Sequence, residues 1–208
     1  MFKKLIFITL AYLSISTVRA AVLETFEDEV DGATSFTTGA TTFNTTGALR
    51  VTSFAPVGNN SSTFFLDTGS GQSVTNAGSI DIVGANLSFV LSSIYLWTSN
   101  DGGGTDIDAN VEITGTLFGG GNVSDTFFID PTGTSGADWF FLGLAGTVFD
   151  GANLTSISFV NQAPANYLAV DDLLLDIQVN AVPVPAAIWL FGTALVGFVG
   201  MSRRRKVA

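Results

Sequence analysis

The chain has 208 residues, no cysteine and no histidine, which excludes a disulfide, a Cys/His zinc site and a Ser-His-Asp triad. Its length suits one ordinary domain with a hydrophobic core. Residues 21–181 contain 18 Asp and Glu residues, one Arg (Arg50) and no Lys, a formal charge of −17. Such a segment repels nucleic acid and suits an extracellular protein that binds cations.

Residues 1–20 have the pattern of a secretory signal peptide. Lys3-Lys4 precedes a short apolar run over residues 5–15, and Val18-Arg19-Ala20 supplies small residues before a cleavage site. We therefore expect cleavage before Ala21. The alternative is an uncleaved anchor helix, although the apolar run is short for a membrane span.

The central segment, residues 21–181, has no amphipathic helical stretch of useful length, and short β-prone runs alternate with turn residues. We predict strands at 22–27, 48–54, 62–67, 79–83, 87–97, 109–118, 123–130, 137–142, 154–160 and 167–177. Along 87–97 we expect Phe89, Leu91 and Tyr95 to share one face, because side chains alternate along a strand. About ten such strands predict an extracellular all-β domain, a β-sandwich that is most simply a jelly roll.

Residues 34–46 contain eight Ser and Thr residues. This composition predicts a polar loop or an edge strand, and it is also typical of O-glycosylated segments.

The C-terminal segment, residues 182–208, has three parts. Two prolines come first, at Pro183 and Pro185, and an apolar run of 16 residues follows over 186–201. A basic cluster closes the chain at 203–206. This pattern predicts a short transmembrane helix whose basic end stays in the cytoplasm.

This tail resembles the PEP-CTERM sorting signal, and the run VPVPAAIWLFGTALVGFVG followed by RRRK is similar to its proteobacterial variant. Val184 stands where the family pattern often has Glu. The resemblance covers about residues 182–206 and implies recognition and removal of the tail by an exosortase, a membrane enzyme of Gram-negative bacteria. The residues that carry it are Val182, Pro183, Val184, Pro185, Ala186, Ala187, Trp189, Arg203, Arg204 and Arg205. A plain single-pass anchor is the alternative.

The best candidate for a metal site joins the two ends of the central domain. Glu27 and Asp28 follow the first predicted strand, and Asp171 and Asp172 lie in the last one. Their placement is similar to that of the acidic residues that share a structural Ca²⁺ in secreted jelly-roll and carbohydrate-binding domains. Calcium takes six to eight oxygen ligands and needs neither His nor Cys. The alternative is that these four residues are solvated edge residues.

Two weaker candidates remain. Asn100, Asp101, Asp106 and Asp108 surround a glycine-rich loop, but they match no calcium-loop spacing, so a solvated hairpin tip is the simpler interpretation. Trp97 and Trp139 are candidates for stacking on sugar rings, against the alternative of core or turn packing.

These patterns predict a protein exported across the inner membrane of a Gram-negative bacterium. Signal peptidase and an exosortase are its expected processing partners, and the inner membrane anchors it transiently before it reaches the cell surface or the medium. We expect a calcium-stabilised sandwich that binds exopolysaccharide and no nucleic acid. The alternatives are a structural or adhesive surface protein without a small ligand and, more weakly, a polysaccharide-active enzyme. Eighteen acidic residues make a pair such as Glu112 and Asp125 easy to find, so we predict no enzyme.

Overall fold

The structure is a computed structural model that describes residues 20–53, 63–69, 77–100, 106–131 and 138–180. Every helix or strand in these ranges is a β-strand. The strands are β1 (Ala20–Glu24), β2 (Ser35–Thr38), β3 (Thr41–Gly47), β4 (Arg50–Ser53), β5 (Phe64–Asp67), β6 (Ala77–Ile82), β7 (Leu87–Ser99), β8 (Ala109–Leu117), β9 (Asn122–Ile129), β10 (Phe140–Gly143), β11 (Leu154–Asn161) and β12 (Tyr167–Val179). The all-β prediction is confirmed for the part of the chain that the structure describes.

The strands form two antiparallel layers. Sheet one has the spatial order β2-β3-β6-β11-β8-β9. Sheet two has the order β4-β5-β12-β7-β10, and β1 pairs with the second half of β12. One backbone pair, Leu154 with Phe89, connects the layers. From β5 onward most connections cross between the two sheets, so the sandwich is jelly-roll-like.

One hydrophobic core fills the space between the sheets. Each sheet contributes alternate side chains to it, as expected for strands with one buried face. Sheet one contributes, among others, Phe36, Phe43, Ile80, Val111, Ile113 and Phe159, and sheet two contributes Val51, Leu66, Phe89, Leu91, Leu96, Val170 and Leu175. Because both sheets enter a single cluster, the described ranges fold as one unit.

The threonine-rich segment forms the hairpin of β2 and β3. Phe36 and Phe43 alternate with outward-facing polar residues, and their buried rings stack at a centroid distance of 5.1 Å. Of the two expectations for residues 34–46, the edge strand is therefore correct for β2, while β3 lies inside the sheet. Threonine is β-branched and fits a pleated, half-buried surface.

The central strand β7 changes its phase halfway along. Phe89 and Leu91 enter the core, but further along Ile94 and Leu96 do so instead. The expectation that Tyr95 shares a face with Phe89 and Leu91 is therefore wrong, because one extra residue between Leu91 and Ile94 turns the remainder of the strand over. Tyr95 consequently faces away from the core.

Strand β12 makes the same change beside β7. Val170 faces the core before an irregular pairing between Asp171 and Leu174, and Leu173 faces the core after it. Asp172 lies at this irregularity with φ of 46°, a left-handed conformation that Asp adopts more readily than β-branched residues do. The paired irregularities let both long strands stay in one sheet.

The predicted signal peptide, apart from Ala20 in β1, and the whole predicted sorting segment lie outside the described residues. In the ranges that the structure does describe, no helix is long and apolar enough to cross a membrane.

Candidate functional site: the outer face of sheet two

The outer face of sheet two is rich in aromatic side chains. Phe141 on β10 pairs with Tyr95 on β7, and Tyr95 pairs with Asp171 on β12. In the next row, Trp97 pairs with Ala169. These positions alternate with core residues, so all of them face away from the main core.

Part of this face is closed over as a second, smaller cluster. Phe65, Trp97, Tyr167 and Ala169 are buried there, and Trp139 packs on them. The Trp139 ring lies 5.6 Å from the Phe65 ring and 6.1 Å from the Trp97 ring, measured between centroids. β10 and β5 lie on opposite sides of β7 and β12, so Trp139, which directly precedes β10, reaches over both strands to contact Phe65 on β5.

Trp97 is a packing residue in this cluster, only 2% exposed. Its indole Nε1 donates a hydrogen bond of 2.6 Å to Oδ1 of Asp106, and burial raises the pKa of that carboxyl. Of the two interpretations of Trp97, packing is the one its burial fits, because a ring enclosed on both sides offers no face to a sugar. Trp139 is half-buried and keeps part of its ring accessible.

The accessible aromatic pair is Phe141 and Tyr95. Phe141 is 56% exposed, and its ring lies 5.2 Å from that of Tyr95, tilted by 57°. Its edge lies over Gly143, where an added Cβ would already touch it at 3.4 Å. This pair was not predicted as a site from the sequence. The doublet Phe140-Phe141 places one ring on each side of a strand, and the phase of β10 decides which ring is accessible.

A buried carboxylate borders the cluster on the side of β5. Asp67 Oδ2 accepts a hydrogen bond of 3.0 Å from the Tyr167 hydroxyl, and burial together with the charge of Asp67 raises the pKa of Tyr167. Its Oδ1 accepts hydrogen bonds from the Thr52 hydroxyl at 2.7 Å and the Gly69 amide at 3.1 Å. The Nε of Arg50 lies 4.0 Å from the same oxygen. This network fixes the polar rim of the face.

The four predicted calcium ligands lie in two different environments. Glu27 and Asp28 are exposed, and Glu27 Oε1 accepts hydrogen bonds from the amides of Thr63 and Phe64 at 2.6 and 3.0 Å. Asp171 and Asp172 are buried on β12, where Asp171 Oδ1 accepts the amide of Asp172. Within the described ranges, no three acidic side chains converge closely enough to hold a metal ion. The calcium site stays a prediction.

The other acidic candidates do not form a common loop site among the residues that the structure describes. Asp101 lies outside those residues, Asp106 is bonded to Trp97, and Asn100 and Asp108 are exposed. Glu112 and Asp125 lie on the neighbouring strands β8 and β9 but are not a direct pair, since Glu112 stands opposite Thr126.

The outer face of sheet one has a different character, because hydroxyl groups cover it from β3 to β9. Thr46 and Ser79 share a hydrogen bond of 2.6 Å across β3 and β6. Thr114 and Ser124 share one of 2.9 Å across β8 and β9. These pairs make much of this second face polar, and the exposed Phe128 on β9 also lies on it.

Neither a protein-family model nor a curated protein matches the chain. Among solved structures, the C-terminal family 22 carbohydrate-binding module of Clostridium thermocellum xylanase 10B is 11% identical with a TM-score of 0.44, over 77% of this chain and 94% of that module. The CBM22-1 xylan-binding domain from Paenibacillus barcinonensis is 16% identical with a TM-score of 0.43, over 80% and 99%. An arabinose-bound α-L-arabinofuranosidase is 12% identical with a TM-score of 0.43, and the chain spans 26% of its length. Likenesses at this level do not establish a shared function.

Proposed function

We propose that this chain is an exported protein of the bacterial surface or extracellular matrix whose sandwich binds exopolysaccharide on the outer face of sheet two. The observation that carries the binding proposal is the accessible pair Phe141 and Tyr95 beside the half-buried Trp139. Sugar rings stack their apolar C–H faces on aromatic rings, and hydroxyl groups around them need polar partners. Arg50, whose side chain is half exposed beside Asp67, supplies such a partner.

The aromatic pair is held firmly enough to act as a platform. It sits on β7 and β10, whose register is set by four consecutive backbone pairs from Phe140 to Gly143. The neighbouring cluster around Trp97 packs the sheet from the same side. A rigid aromatic face loses little side-chain entropy on binding, which favours affinity.

The proposed location rests on the terminal segments. The basic-apolar start predicts export, and the resemblance of residues 182–206 to the PEP-CTERM signal implies exosortase processing. Signal peptidase and exosortase would act in turn, with the chain anchored in the inner membrane between the two steps. An acidic domain with a single Arg suits release into a hydrated matrix.

The proposal is tested by co-sedimentation of residues 21–181 with the exopolysaccharide of the host. Phe141→Ala should weaken binding about tenfold, because truncating an aromatic anchor at a binding face typically costs about 1–2 kcal/mol. Phe128→Ala is the matched control, since Phe128 is 58% exposed and lies on β9 of the other sheet. Binding that is absent in the unchanged domain, or unaffected by Phe141→Ala, contradicts the proposal.

Calcium at Glu27, Asp28, Asp171 and Asp172 is a separate part of the proposal. Asp171 and Asp172 are adjacent buried carboxylates, which repel each other unless a cation or hydrogen bonds compensate them. The same sedimentation is therefore run with millimolar Ca²⁺ and with EDTA, alongside the melting temperature. A melting temperature that is equal in both conditions removes calcium from the proposal and leaves the aromatic face untouched.

A structural or adhesive role without a small ligand is the second candidate. The hydroxyl pairs on the outer face of sheet one favour it, since a polar surface suits packing in a hydrated matrix without a specific ligand. The domain would then co-sediment with the protein fraction of the matrix. It would show no binding to purified exopolysaccharide.

A further inference from the structure

Arg50 is the single basic residue of residues 21–181, and the structure places it at the rim of the aromatic face. It begins β4, where its backbone pairs with that of Asp67. Its neighbour Val51 enters the core, so Arg50 faces outward. Its side chain is 51% exposed, although it stands next to a carboxylate that is almost fully buried.

Asp67 does not use the hydrogen-bond donors of Arg50. The carboxylate already accepts hydrogen bonds from Thr52, Gly69 and Tyr167. The Arg50 Nε lies 4.0 Å from Oδ1, a distance that allows an ion pair but not a hydrogen bond. No described residue accepts a hydrogen bond from this guanidinium within the ranges that the structure covers. Asp67 therefore attracts the positive charge of Arg50 but accepts no hydrogen bond from the planar set of N–H donors on its guanidinium.

These donors border an open cavity of about 450 Å³. Its described lining comprises Arg50, Thr34, Thr68 and the short turn Gly47-Ala48-Leu49. The volume is within the range of about 300–1,000 Å³ that small-molecule sites occupy. The Thr68 hydroxyl is already bonded to the backbone of Leu168, so the lining offers the Arg50 guanidinium and the Thr34 hydroxyl. A guanidinium that faces such a cavity suits a ligand rich in oxygen acceptors.

The charge of the domain restricts that ligand. An anion would meet a body of formal charge −17 and, directly behind Arg50, the Asp67 carboxylate. A cation would meet the guanidinium itself. An uncharged ligand with adjacent hydroxyl groups avoids both repulsions, and two such oxygens can accept the parallel N–H bonds of one guanidinium.

We propose that Arg50 and this cavity form a subsite for a neutral saccharide, a proposal that rests on exopolysaccharide binding by the same face. Arg50, Asp67, Ala169 and Trp97 follow one another across four neighbouring strands. At a strand spacing of about 4.8 Å, the backbones of Arg50 and Trp97 lie about 14 Å apart. One polysaccharide chain stacked on Phe141 and Tyr95 reaches Arg50 within a few sugar units. The polysaccharide class is therefore neutral.

The test measures binding of the protein, in the form that a Gram-negative host secretes, to the neutral and acidic fractions of the host exopolysaccharide. Arg50→Gln should weaken binding of the neutral fraction tenfold or more, since hydrogen bonds from a charged donor are among the strong ones. Arg50→Lys keeps the charge beside Asp67 but lacks the fork, so it should fold and also bind weakly. Asn122→Asp is the control, because it makes the same change in net charge on an exposed position of β9.

Three results would overturn the inference. First, the affinities of Arg50→Gln and Arg50→Lys for the neutral fraction could both lie within twofold of that of the unchanged protein. That result removes Arg50 from the site and leaves the exopolysaccharide proposal standing. The unchanged protein could prefer the acidic fraction, which removes the neutral class alone. Failure of the unchanged protein to bind either fraction overturns the exopolysaccharide proposal and this subsite together.

Discussion

Close approaches in the core decide which small residues the chain requires. Gly78 on β6 lies where an added Cβ would collide with the buried Leu49 side chain, 2.8 Å from its Cδ1. Gly119 follows β8 and has open space within 4 Å of an added Cβ. Composition alone shows 23 glycines and does not distinguish these two roles.

We expect Gly78→Ala to lower the free energy of unfolding by about 1–3 kcal/mol, because overpacking forces side chains from their preferred positions. Gly119→Ala is the matched control and should change it by less than about 0.5 kcal/mol. Urea unfolding measures both. An equal effect of the two substitutions would show that the contact with Leu49 does not decide the cost.

Glu24 is a buried carboxyl that crosses from sheet two to sheet one. Its two oxygens accept hydrogen bonds from the Phe26 amide and from the hydroxyl of Thr38 on β2. Burial, with smaller contributions from Glu29 and Asp28, raises the pKa of Glu24 above its usual value. A raised pKa in the folded state means that the fold favours the protonated carboxyl. The stabilisation is complete below the unfolded pKa and is lost as the pH rises through the folded one.

Glu24→Gln should therefore stabilise the domain at pH 7 to 8 and give no gain near pH 4. The amide keeps an acceptor for the Phe26 N–H and removes the buried charge. Melting temperatures across this pH range test the expectation. A gain that is equal at both ends would show that Glu24 has the same pKa in the folded and unfolded states.

At the scale of the element, the edges of the two sheets decide whether the domain pairs with copies of itself. Strand β9 pairs only with β8 among the described strands. Asp125 interrupts its inward-facing apolar row of Val123, Phe127 and Ile129, and its Oδ1 accepts the amide of Thr126. An inward-pointing charge on an edge strand is a known protection against edge-to-edge association.

Asp125→Val should consequently make the domain dimerise or aggregate at concentrations where the unchanged domain is monomeric. The substitution completes an apolar edge and frees the Thr126 amide. Sedimentation velocity measures the change, and Asn122→Val at the outer end of the same strand is the control. The protective role is refuted by a variant that remains monomeric at every concentration tested.

The strand prediction shows which local signals suffice. All ten predicted strands are present, because alternating apolar residues between turn residues mark a strand without tertiary information. For β2 and β3 the sequence left a polar loop and an edge strand as alternatives, since their inward row contains Thr38, Thr41 and Thr45 beside only two phenylalanines. Their polarity resembles that of a loop, and pairing of β2 with β3 and of β3 with β6 makes them strands.

At the scale of the whole molecule, the first and last strands bring the two ends of the domain together. Ala20 on β1 pairs with Ile177 on β12, so the chain enters and leaves at the same end of the sandwich. The predicted signal peptide and the predicted sorting segment are therefore joined to the same end of the domain. A precursor with both segments in the membrane can fold, because its two attachment points lie close together.

The mature extracellular protein should lack the basic cluster at 203–206. Exosortase processing implies removal of the tail after the motif at 182–187, and intact-mass spectrometry of the secreted protein measures it. Replacing Pro183 and Pro185 with Ala should leave the precursor in the inner membrane. Secreted protein that still carries residues 203–206 would contradict the sorting prediction.

Composition and local periodicity alone predict the all-β class and ten of the twelve described strands, and the terminal segments predict an export route. These depend on composition, on local periodicity and on a contiguous tail motif, all of which are readable along the chain. Which aromatic rings are accessible depends instead on contacts between strands that are distant in the chain. The paired irregularities in β7 and β12 turn Tyr95 outward, and packing under Trp139 buries Trp97. Arg50 meets Asp67 only because β4 pairs with β5. One-residue shifts and contacts between distant strands leave no local trace, because they arise from how the two sheets share one core.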